Sequence, residues 1–525
     1  MRYLYLLFIP LFSVCCSEVY AQAPKGIQWQ KAYGSTGTDD VSFMIRATDG
    51  GYLIGGTSDV AGPDGDLTYS DKGMRDYRIM KLDATGNKEW DRGYGGSKED
   101  IVMCAIAVSD GGYLIGGASL SGKEGDKSEG PRGAVGDYWI LKLDASGNKQ
   151  WDKTLGSENE EYCTSMIETA DGNFLIGGSG LLKMTGDVTA VSQGALDIWV
   201  VKLDKNGKKI WDKVYGGKNS DKLAQLIATA DGGFVAVGSS SSVAGGGKTE
   251  APKGLDDYWI LKADTGGVKK WDKTIGSRKS DFATCITEAY NGGYLVAGIG
   301  GDTVTNDKTQ KGKGFWVVRL DTAGKKKWDK LYIDEKGYAP SSVIKSGDGG
   351  YLLAGTAINT ASTAPMVRGG ADYLLMRLDS AGTKTWAYTL GGSLADTCMA
   401  MVETEDGYVL AGSSASPDGA DKVGHKFGAG NKDYWIVKLA KFPLAVSSIA
   451  TEKAQIANVA GLNGSLQIAL VKEGAAQYQV YDMAGRKVSE GILLDGKVSI
   501  NAQPGIYNIY IRRQGLQQMV RVMVY

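Results

Sequence analysis

Seven copies of a cassette of about 60 residues fill most of this 525-residue chain and constrain its fold more than any other feature. Each cassette has a tryptophan that marks the register, at positions 29, 90, 151, 211, 271, 328 and 386. Twenty residues after each tryptophan a turn signature begins, at Asp49, Asp110, Asp171, Asp231, Asn291, Asp348 and Asp406. A third landmark, usually Asp-Tyr-Trp, begins at Asp76, Asp137, Asp197, Asp257, Gly314, Asp372 and Asp433. Only the stretch between the second and third landmarks varies in length, so insertions are confined to one loop of the repeat.

The fourth cassette shows the strand pattern most clearly. Residues 222–229, 234–239, 257–263 and 268–275 read as four short strands, and the third contains the apolar residues Tyr258, Ile260 and Leu261. Asp231-Gly232 separates the first two strands, and an Asp-Gly step supplies the positive φ that a two-residue hairpin turn demands. A second turn with Asp and Gly joins the last two strands. Each cassette is therefore predicted to be a four-stranded antiparallel meander.

The two ends of the repeat complement each other. The first cassette opens with a lone strand of the fourth type, residues 26–33, and the last cassette stops after a third-type strand, residues 433–439. If these two segments pair, seven complete blades result and no edge strand stays exposed. An open solenoid would instead need capping units with polar outer faces. The sequence thus predicts an all-β, seven-bladed β-propeller over residues 24–441, closed by its N-terminal strand.

The N-terminal residues 1–23 have the features of a signal peptide. Arg2 precedes an apolar run over residues 3–16, and Ala21-Gln22-Ala23 meets the small-residue rule for cleavage. Cys15 or Cys16 could alternatively be a lipidated first residue of the mature protein. No later stretch reaches the ~20 apolar residues of a membrane-spanning helix. A formal net charge of -1 gives no attraction to nucleic acid. We expect an exported monomer without a nucleic-acid partner.

The recurring tryptophans and the four remaining cysteines are both interpreted as structural. We expect each tryptophan to be a core residue packed between neighbouring blades rather than a platform for ligand stacking. The cysteines occupy one face of equivalent strands, at positions 104, 163, 285 and 398. Equivalent strands of separate cassettes are expected to lie too far apart for the ~5.5 Å Cα spacing of a disulfide. Small buried apolar side chains are the favoured reading, and a disulfide or metal pair is the alternative.

Recognition is predicted on the face that carries the length-variable loops, such as residues 243–254 and 417–428, because variable loops on a fixed scaffold usually carry binding function. Ten residues after the tryptophans, six acidic residues are expected on the same face: Asp39, Asp100, Glu161, Asp221, Asp281 and Asp396. Tyr338 takes this position in the sixth cassette. Several oxygen ligands suit a hard cation, so Ca²⁺ is the candidate metal. Alternatively, each carboxylate caps its own turn between blades.

Catalysis is the alternative to binding, in the form of a glycan hydrolase or lyase. Such chemistry needs an asymmetric arrangement, for example two carboxylates several ångströms apart. The most deviant cassette is the sixth, with Asp334 and Glu335, and we interpret it as loop variation. The single histidine, His425, lies in a polar loop and is expected to be exposed. We therefore assign no catalytic residue and predict a protein that binds a glycan, a peptide or another protein.

The C-terminal residues 460–525, after a linker over 442–459, carry a separate set of motifs. These are Val480-Tyr-Asp-Met-Ala-Gly-Arg-Lys-Val488, Pro504-Gly-Ile-Tyr507 and Val520-Arg-Val-Met-Val524. They resemble the C-terminal sorting domain of the type IX secretion system of Bacteroidetes, although the usual Tyr-Pro-Asn-Pro opening is absent. The cassettes are similar to β-propeller repeats of secreted proteins of that phylum. The resemblance implies a small β-sandwich-like domain, the type IX machinery as partner, and a secreted or cell-surface location.

Overall fold

A computed structural model describes residues 26–440, apart from 61, 306, 333–338, 348, 359–367 and 425–430, and seven strands with gaps between residues 457 and 524. The regular structure of the described residues is β-strand, which confirms the predicted all-β class. The chain divides into two compact units, with the boundary in the sequence between Leu439 and Ala440. The described residues contain no helix with the length and apolar character needed to cross a membrane.

The first unit begins with strand β1 (Ile27–Tyr33), which is followed by six four-stranded antiparallel sheets of consecutive strands. Sheets 1 and 2 consist of β2 (Asp39–Arg46), β3 (Tyr52–Ser58), β4 (Tyr77–Leu82), β5 (Lys88–Tyr94), β6 (Asp100–Ala107), β7 (Tyr113–Ser119), β8 (Asp137–Leu143) and β9 (Lys149–Leu155). Sheets 3 and 4 consist of β10 (Glu161–Glu168), β11 (Phe174–Gly180), β12 (Asp197–Leu203), β13 (Lys209–Tyr215), β14 (Asp221–Ala228), β15 (Phe234–Ser240), β16 (Asp257–Ala263) and β17 (Lys269–Ile275). Sheets 5 and 6 consist of β18 (Phe282–Glu288), β19 (Tyr294–Gly300), β20 (Gly314–Leu320), β21 (Lys326–Tyr332), β22 (Pro340–Ser346), β23 (Gly350–Ile358), β24 (Ala371–Leu378) and β25 (Lys384–Leu390).

Sheet 7 combines both ends of the unit. Its first three strands are β26 (Asp396–Glu403), β27 (Gly407–Ser414) and β28 (Asp433–Ala440), and its fourth strand is β1. The register pairs Tyr33 with Tyr434 and Ile27 with Leu439. The side chain of Gln30 adds three bonds to this seam. It accepts hydrogen bonds from the Trp435 indole (3.0 Å) and the Val423 amide (2.9 Å), and it donates to the Asp421 carbonyl (3.0 Å).

The tight turns differ in detail from the prediction. Between β2 and β3, the Gly50 amide bonds the Ala47 carbonyl, and only Gly50 has a positive φ, of 88°. This is a three-residue connection, a turn followed by one left-handed glycine, and the predicted two-residue turn is wrong. Between β4 and β5 the prediction holds, since Asp83 Oδ1 accepts the amides of Thr85 and Asn87 at 2.8 and 2.9 Å.

The first strand of each sheet contacts the first strand of the next sheet, and β26 contacts β2. A cavity of about 330 Å³, here called the inner cavity, is lined by residues of all seven first strands. In every sheet the pairing of the first two strands is interrupted by a β-bulge at the same place. The seven inserted residues all line the inner cavity, and they are Ser42, Met103, Thr164, Ala224, Thr284, Ser341 and Met399.

The register tryptophans pack between neighbouring sheets, as predicted, but they are only half-buried. Trp29 of sheet 7 lies 6.1 Å from the Tyr52 ring of sheet 1 and covers the turn glycine Gly86. Because these side chains lie on the outermost strand, their outer edge stays in contact with solvent. They therefore pack against the core at its margin, whereas the prediction of core residues implied that they form its centre. The fully buried tryptophans belong to the third landmark and are Trp139, Trp199, Trp259, Trp316 and Trp435.

The third-landmark tyrosines tie one sheet to the next through their hydroxyl groups. The Tyr77 hydroxyl in sheet 1 donates to the Trp139 carbonyl in sheet 2 at 2.9 Å. The same bond recurs from Tyr138 to Trp199, from Tyr258 to Trp316 and from Tyr373 to Trp435. Each of these hydroxyls is buried, so the bond satisfies a group that would otherwise be costly.

The cysteines are free thiols, and their placement corrects one prediction. Cys163, Cys285 and Cys398 are buried, and Cys104 is partly exposed. The first strands of sheets 2 and 3 approach closely at the inner cavity, so the Sγ atoms of Cys104 and Cys163 are only 3.6 Å apart. The four cysteines are unbridged, as the favoured interpretation predicts, but the thiols of Cys104 and Cys163 lie closer together than the expected separation of equivalent strands suggests.

The second unit contains two antiparallel sheets. One has the order β29 (Ala457–Leu462), β30 (Ser465–Leu470) and β33 (Lys497–Asn501), and the other has the order β32 (Lys487–Leu494), β31 (Ala475–Asp482), β34 (Gly505–Arg513) and β35 (Leu516–Val524). Buried side chains from both sheets form one core, which includes Ile468, Val480, Ile500 and Ile509.

Candidate functional site

The six acidic side chains singled out by the sequence lie at the starts of the first strands or directly before them. All six are buried, at 0 or 1% exposure. Each accepts a hydrogen bond from the main-chain amide four residues earlier, as Asp100 does from Gly96 at 2.8 Å. The Ser121 hydroxyl adds a second bond to Asp100 at 2.8 Å. The geometry therefore matches the alternative in which each carboxylate caps the turn between two sheets.

A second buried carboxylate reaches each of these junctions from the third strand of the preceding sheet. At the junction of sheets 1 and 2, a Cβ added to Gly95 would lie 2.1 Å from Asp76 Oδ1 and 2.7 Å from Asp100 Oδ2. Only glycine leaves room for both groups. The five other pairs are Asp433 with Asp39, Asp137 with Glu161, Asp197 with Asp221, Asp257 with Asp281, and Asp372 with Asp396.

The seventh junction departs from this arrangement at all three positions. Gly314 replaces the third-strand aspartate, Ile333 replaces the glycine and Tyr338 replaces the first-strand acid. Ile333 and Tyr338 lie outside the described residues, as do Asp334, Glu335 and His425. Because the three positions change together, the two carboxylates and the glycine behave as one unit of the sequence pattern.

Burial raises the pKa of several carboxyl groups at these junctions. It raises the pKa of four third-strand carboxyls to about 6, and these are Asp76, Asp137, Asp257 and Asp372. Burial likewise raises the pKa of Glu161 to about 7, with a further increase from the negative charges of Asp137 and Asp187. A carboxyl group in an apolar, like-charged environment holds its proton more tightly, because the charged form loses its hydration.

The predicted metal ligands are not brought together. They lie at six separate junctions, one to a junction, and each accepts a hydrogen bond from the turn that it caps. Throughout the described ranges, no three or more His, Cys, Asp or Glu side chains are grouped so that they could hold a metal ion. Calcium binding stays a prediction for which this geometry provides no ligand set.

The long loop between the second and third strands is anchored by a carboxylate of the fourth strand. In sheet 2, Asp152 accepts hydrogen bonds from the Ser128 amide (2.8 Å), the Trp139 indole (3.1 Å) and the Lys149 ammonium (2.9 Å). A loop amide bonds the equivalent carboxylate in four other sheets, and these pairs are Thr68–Asp91, Thr189–Asp212, Thr249–Asp272 and Thr309–Asp329. The anchor fixes the middle of each loop and leaves the rest on the surface.

These loops and the links between sheets form one surface, here called the loop face, because the antiparallel strands return both connections to the same end. Loop and link touch directly, as in the bond from the Asp126 amide to the Gly95 carbonyl at 2.9 Å. The loop face carries nine exposed large apolar side chains, and they are Met74, Leu181, Met184, Val191, Val243, Leu255, Val304, Leu394 and Val423. Their exposed fractions run from 44% for Leu394 to 72% for Met74.

One buried residue of the third strand of sheet 1 differs from its equivalents in the other sheets. Arg78 stands where five other sheets have the buried third-landmark tryptophan, and it is 2% exposed. Its Nη2 lies 3.2 Å from Asp71 Oδ2 and its guanidinium stacks over Tyr69 at 5.3 Å. The Tyr434 hydroxyl, buried beside it, has no hydrogen-bond partner among the described residues. Sequence reasoning missed this cluster, although Asp76-Tyr77-Arg78 in place of Asp-Tyr-Trp was its signal.

Comparison with known proteins finds only distant similarity. No family model matches the chain. The regulatory protein FlaEY of Caulobacter vibrioides is 23% identical over 233 residues, which are 43% of this chain and 23% of that protein. The chain therefore spans about a quarter of the length of this curated relative.

Solved structures with a similar arrangement share little sequence with this chain. The Pan2 WD40 domain of Neurospora crassa has a TM-score of 0.41 at 10% identity, covering 77% of this chain and 90% of that one. Sqt1 of Chaetomium thermophilum has a TM-score of 0.39 at 10% identity, covering 96% and 100%. Similarity at this level carries no argument about function.

Proposed function

We propose that residues 26–440 form a closed seven-bladed β-propeller that binds a protein or peptide partner on its loop face. Three observations support the ring: the pairing of β1 with β28, the contact of β26 with β2, and a cavity lined by all seven first strands. A closed ring of sheets leaves no unpaired edge, which keeps such a scaffold soluble and rigid.

The observation that carries the binding proposal is the set of nine exposed apolar side chains on the loop face. Apolar side chains that gather on one surface mark sites of protein association, whereas single ones scattered over a surface need no explanation. Nine of the thirteen exposed large apolar residues of this unit's described part lie there. All nine are aliphatic or methionine, a composition that favours a protein or peptide over a glycan, since methionine adapts to varied apolar partners.

Binding is favoured over catalysis by the position of the acidic groups. Burial raises the pKa of several junction carboxyls, among them Asp76, Asp137 and Glu161, which suits acid–base chemistry. Their side chains, however, are at most 1% exposed and occupied by turn capping, so substrate has no access to them. A glycan hydrolase or lyase would need such a pair within reach of the sugar.

The test is a selection of peptides that bind the immobilised full chain from a random displayed library. Selected peptides are then titrated against a variant with Met184, Val191, Val243 and Leu255 changed to Asp, which charges the loop face of sheets 3 and 4. We expect the dissociation constant to rise at least about tenfold, because each charge interrupts an apolar contact.

The matched control changes Ile210 and Val268 to Asp. These side chains are 51% and 57% exposed, similar to the loop-face set, but lie at the opposite end of the strands. Binding by the control should equal that of the unchanged chain. Peptides that bind the loop-face variant normally, or that lose binding to the control, would refute the assignment.

We further propose that residues 460–525 direct export through a type IX secretion system. The supporting observation is that the matching motifs lie in β31 and the segment after it, in β34 and in β35 of a compact unit with its own core. In a Bacteroidetes host with that machinery, the full chain should reach the cell surface or the medium. A chain that ends at residue 459 should stay in the periplasm, and its equal release would contradict the proposal.

A further inference from the structure

A pair of thiols lies at the wall of the inner cavity. The Cys104 Sγ is 3.6 Å from the Cys163 Sγ and 3.8 Å from the Cys163 carbonyl oxygen. Cys104 belongs to the first strand of sheet 2 and Cys163 to the first strand of sheet 3. Fifty-nine residues separate the two in sequence, so a bond between them would join two sheets rather than neighbouring segments of one.

The pair is specific to one junction of the repeat. Cys285 occupies the position of Cys104 in sheet 5, and there it faces the Pro340 carbonyl at 4.0 Å. Cys398 occupies the position of Cys163 in sheet 7, and its thiol lies near the Ala400 carbonyl at 3.8 Å. The four cysteines thus occupy two positions of the repeat. Only at the junction of sheets 2 and 3 does a cysteine at the first position, Cys104, face a cysteine at the second position, Cys163.

The two thiols differ in access. Cys104 lines the inner cavity and is partly exposed, whereas Cys163 is fully buried. Burial raises the pKa of the Cys163 thiol well above its usual value, so Cys163 forms its thiolate less readily than an exposed cysteine does. A small reagent that enters the cavity therefore meets Cys104 first.

We propose that Cys104 and Cys163 form an intrachain disulfide when the protein meets a small organic disulfide as oxidant. The Cys104 thiolate attacks one sulfur of the oxidant, and a mixed disulfide forms as the first oxidant thiolate leaves. Cys163 then loses its proton and attacks the Cys104 sulfur, which releases the second oxidant thiolate. The two cysteines are oxidised by two electrons, their two protons are lost, and the oxidant becomes two thiols.

The product would fasten the first strands of sheets 2 and 3 across the cavity wall. A covalent link between residues far apart in sequence restricts the unfolded chain and so stabilises the folded one. Export, proposed above on separate grounds, would take the chain to a compartment in which such bonds persist.

The experiment treats the reduced full chain with hydroxyethyl disulfide and maps its cysteines by peptide mass spectrometry. We expect a linked Cys104–Cys163 peptide pair that is two hydrogens lighter than the separate peptides. The melting temperature should rise by about 4 °C or more, a typical response for a bond of this kind in a large domain, and dithiothreitol should reverse it.

The variants Cys104→Ser and Cys163→Ser should each abolish the linked peptide and the rise in melting temperature. The matched controls Cys285→Ser and Cys398→Ser should keep both. If Cys104 and Cys163 remain separate thiols under oxidant that links them in the unfolded chain, the proposed disulfide is overturned. If the linked pair forms without any rise in melting temperature, the disulfide stands and its proposed stabilising effect is overturned.

Discussion

The tyrosine hydroxyls of the third landmark connect one sheet to the next by single hydrogen bonds. Tyr77 makes such a bond and Tyr434 makes none within the described part of the chain, so the effect of the bond on stability can be measured by comparing the two. Changing Tyr77 to Phe removes the bond to the Trp139 carbonyl and leaves that buried oxygen with one partner fewer. The free energy of unfolding should fall by about 1 kcal/mol, the usual net value of such a bond. Denaturant titration measures this change.

Tyr434 supplies the control, because its buried hydroxyl has no partner among the described residues. Tyr434→Phe should leave the free energy of unfolding unchanged or increase it slightly, since it removes a polar group that gains nothing from burial. Equal losses in both variants would show that packing of the ring, and not the hydroxyl, accounts for the effect.

The buried carboxyls should make the protein more stable in mild acid than at neutral pH. Asp76, Asp137, Asp257 and Asp372 have a folded pKa near 6 and an ordinary pKa of 3.8, so the folded state binds protons more tightly. Their contribution is complete below 3.8 and is lost as the pH rises through about 6, on the order of 1 kcal/mol for each group.

The aspartates of the tight turns determine the pH below which stability decreases again. Hydrogen bonds hold the pKa of Asp83 and Asp231 down at about 2, so their stabilisation is present above 3.8 and is lost as the pH falls through 2. The melting temperature should therefore be highest near pH 4 to 5. Asp76→Asn should weaken the decline between pH 5 and pH 8, and a melting temperature that falls steadily from pH 7 to pH 5 would refute this account.

At the scale of single residues, the sequence predicted which carboxylates matter but not their partners. The ten-residue spacing from the tryptophans located Asp39 and its five equivalents, and the capping alternative described their contacts. The third-strand aspartates had been assigned to a landmark of the repeat, and their approach to the first-strand acids depends on how two sheets dock. That geometry is a tertiary property, which spacing within one cassette does not contain.

At the scale of the elements, the glycine of each junction determines how closely two sheets can approach. Gly95→Ala would place a methyl group 2.1 Å from Asp76 Oδ1 and 2.7 Å from Asp100 Oδ2. One carboxylate must move and lose its cap, so the free energy of unfolding should fall by about 1 to 3 kcal/mol. Thermal unfolding monitored by circular dichroism measures the difference.

Gly62→Ala is the matched control, because a Cβ at Gly62 meets nothing within 4 Å and the residue lies in a surface loop. Its free energy of unfolding should stay within about 0.5 kcal/mol of the unchanged chain. If the two variants lose the same stability, backbone freedom rather than the carboxylate pair explains the glycine.

The strands themselves were predictable because the alternation of side chains and the turn residues are local signals. The hairpin between β2 and β3 is a case in which local sequence does not determine the length of the connection. An Asp-Gly step fits either a two-residue or a three-residue connection. Here only Gly50 takes a positive φ, whereas a two-residue type I′ turn needs a positive φ at both central residues. The depth of the tryptophans likewise depends on which strand lies outermost in the sheet.

At the scale of the whole first unit, β1 should act as the closing element. Deleting residues 26–33 removes the pairing with β28 and the three bonds of Gln30, and it leaves a long unpaired edge. We expect the melting temperature to fall by about 5 °C or more and the protein to self-associate, as measured by calorimetry and size-exclusion chromatography.

A synthetic peptide with residues 24–35 should restore part of the lost melting temperature in this deletion variant. A chain that ends at residue 439 serves as the control and should keep the transition of the first unit. An unchanged, monomeric deletion variant would show that the ring does not depend on its first strand.

The seven β-bulges have a consequence for how this molecule can acquire new specificities. Each bulge adds one residue that takes no part in the pairing of its two strands, and each of these residues faces the inner cavity. The chain thereby holds seven sites, two of them now methionine, that mutation can rewrite one at a time while the hydrogen-bond ladders stay intact. The wall of the inner cavity can therefore change its chemistry by single substitutions, whereas changes of length are confined to the loop between the second and third strands.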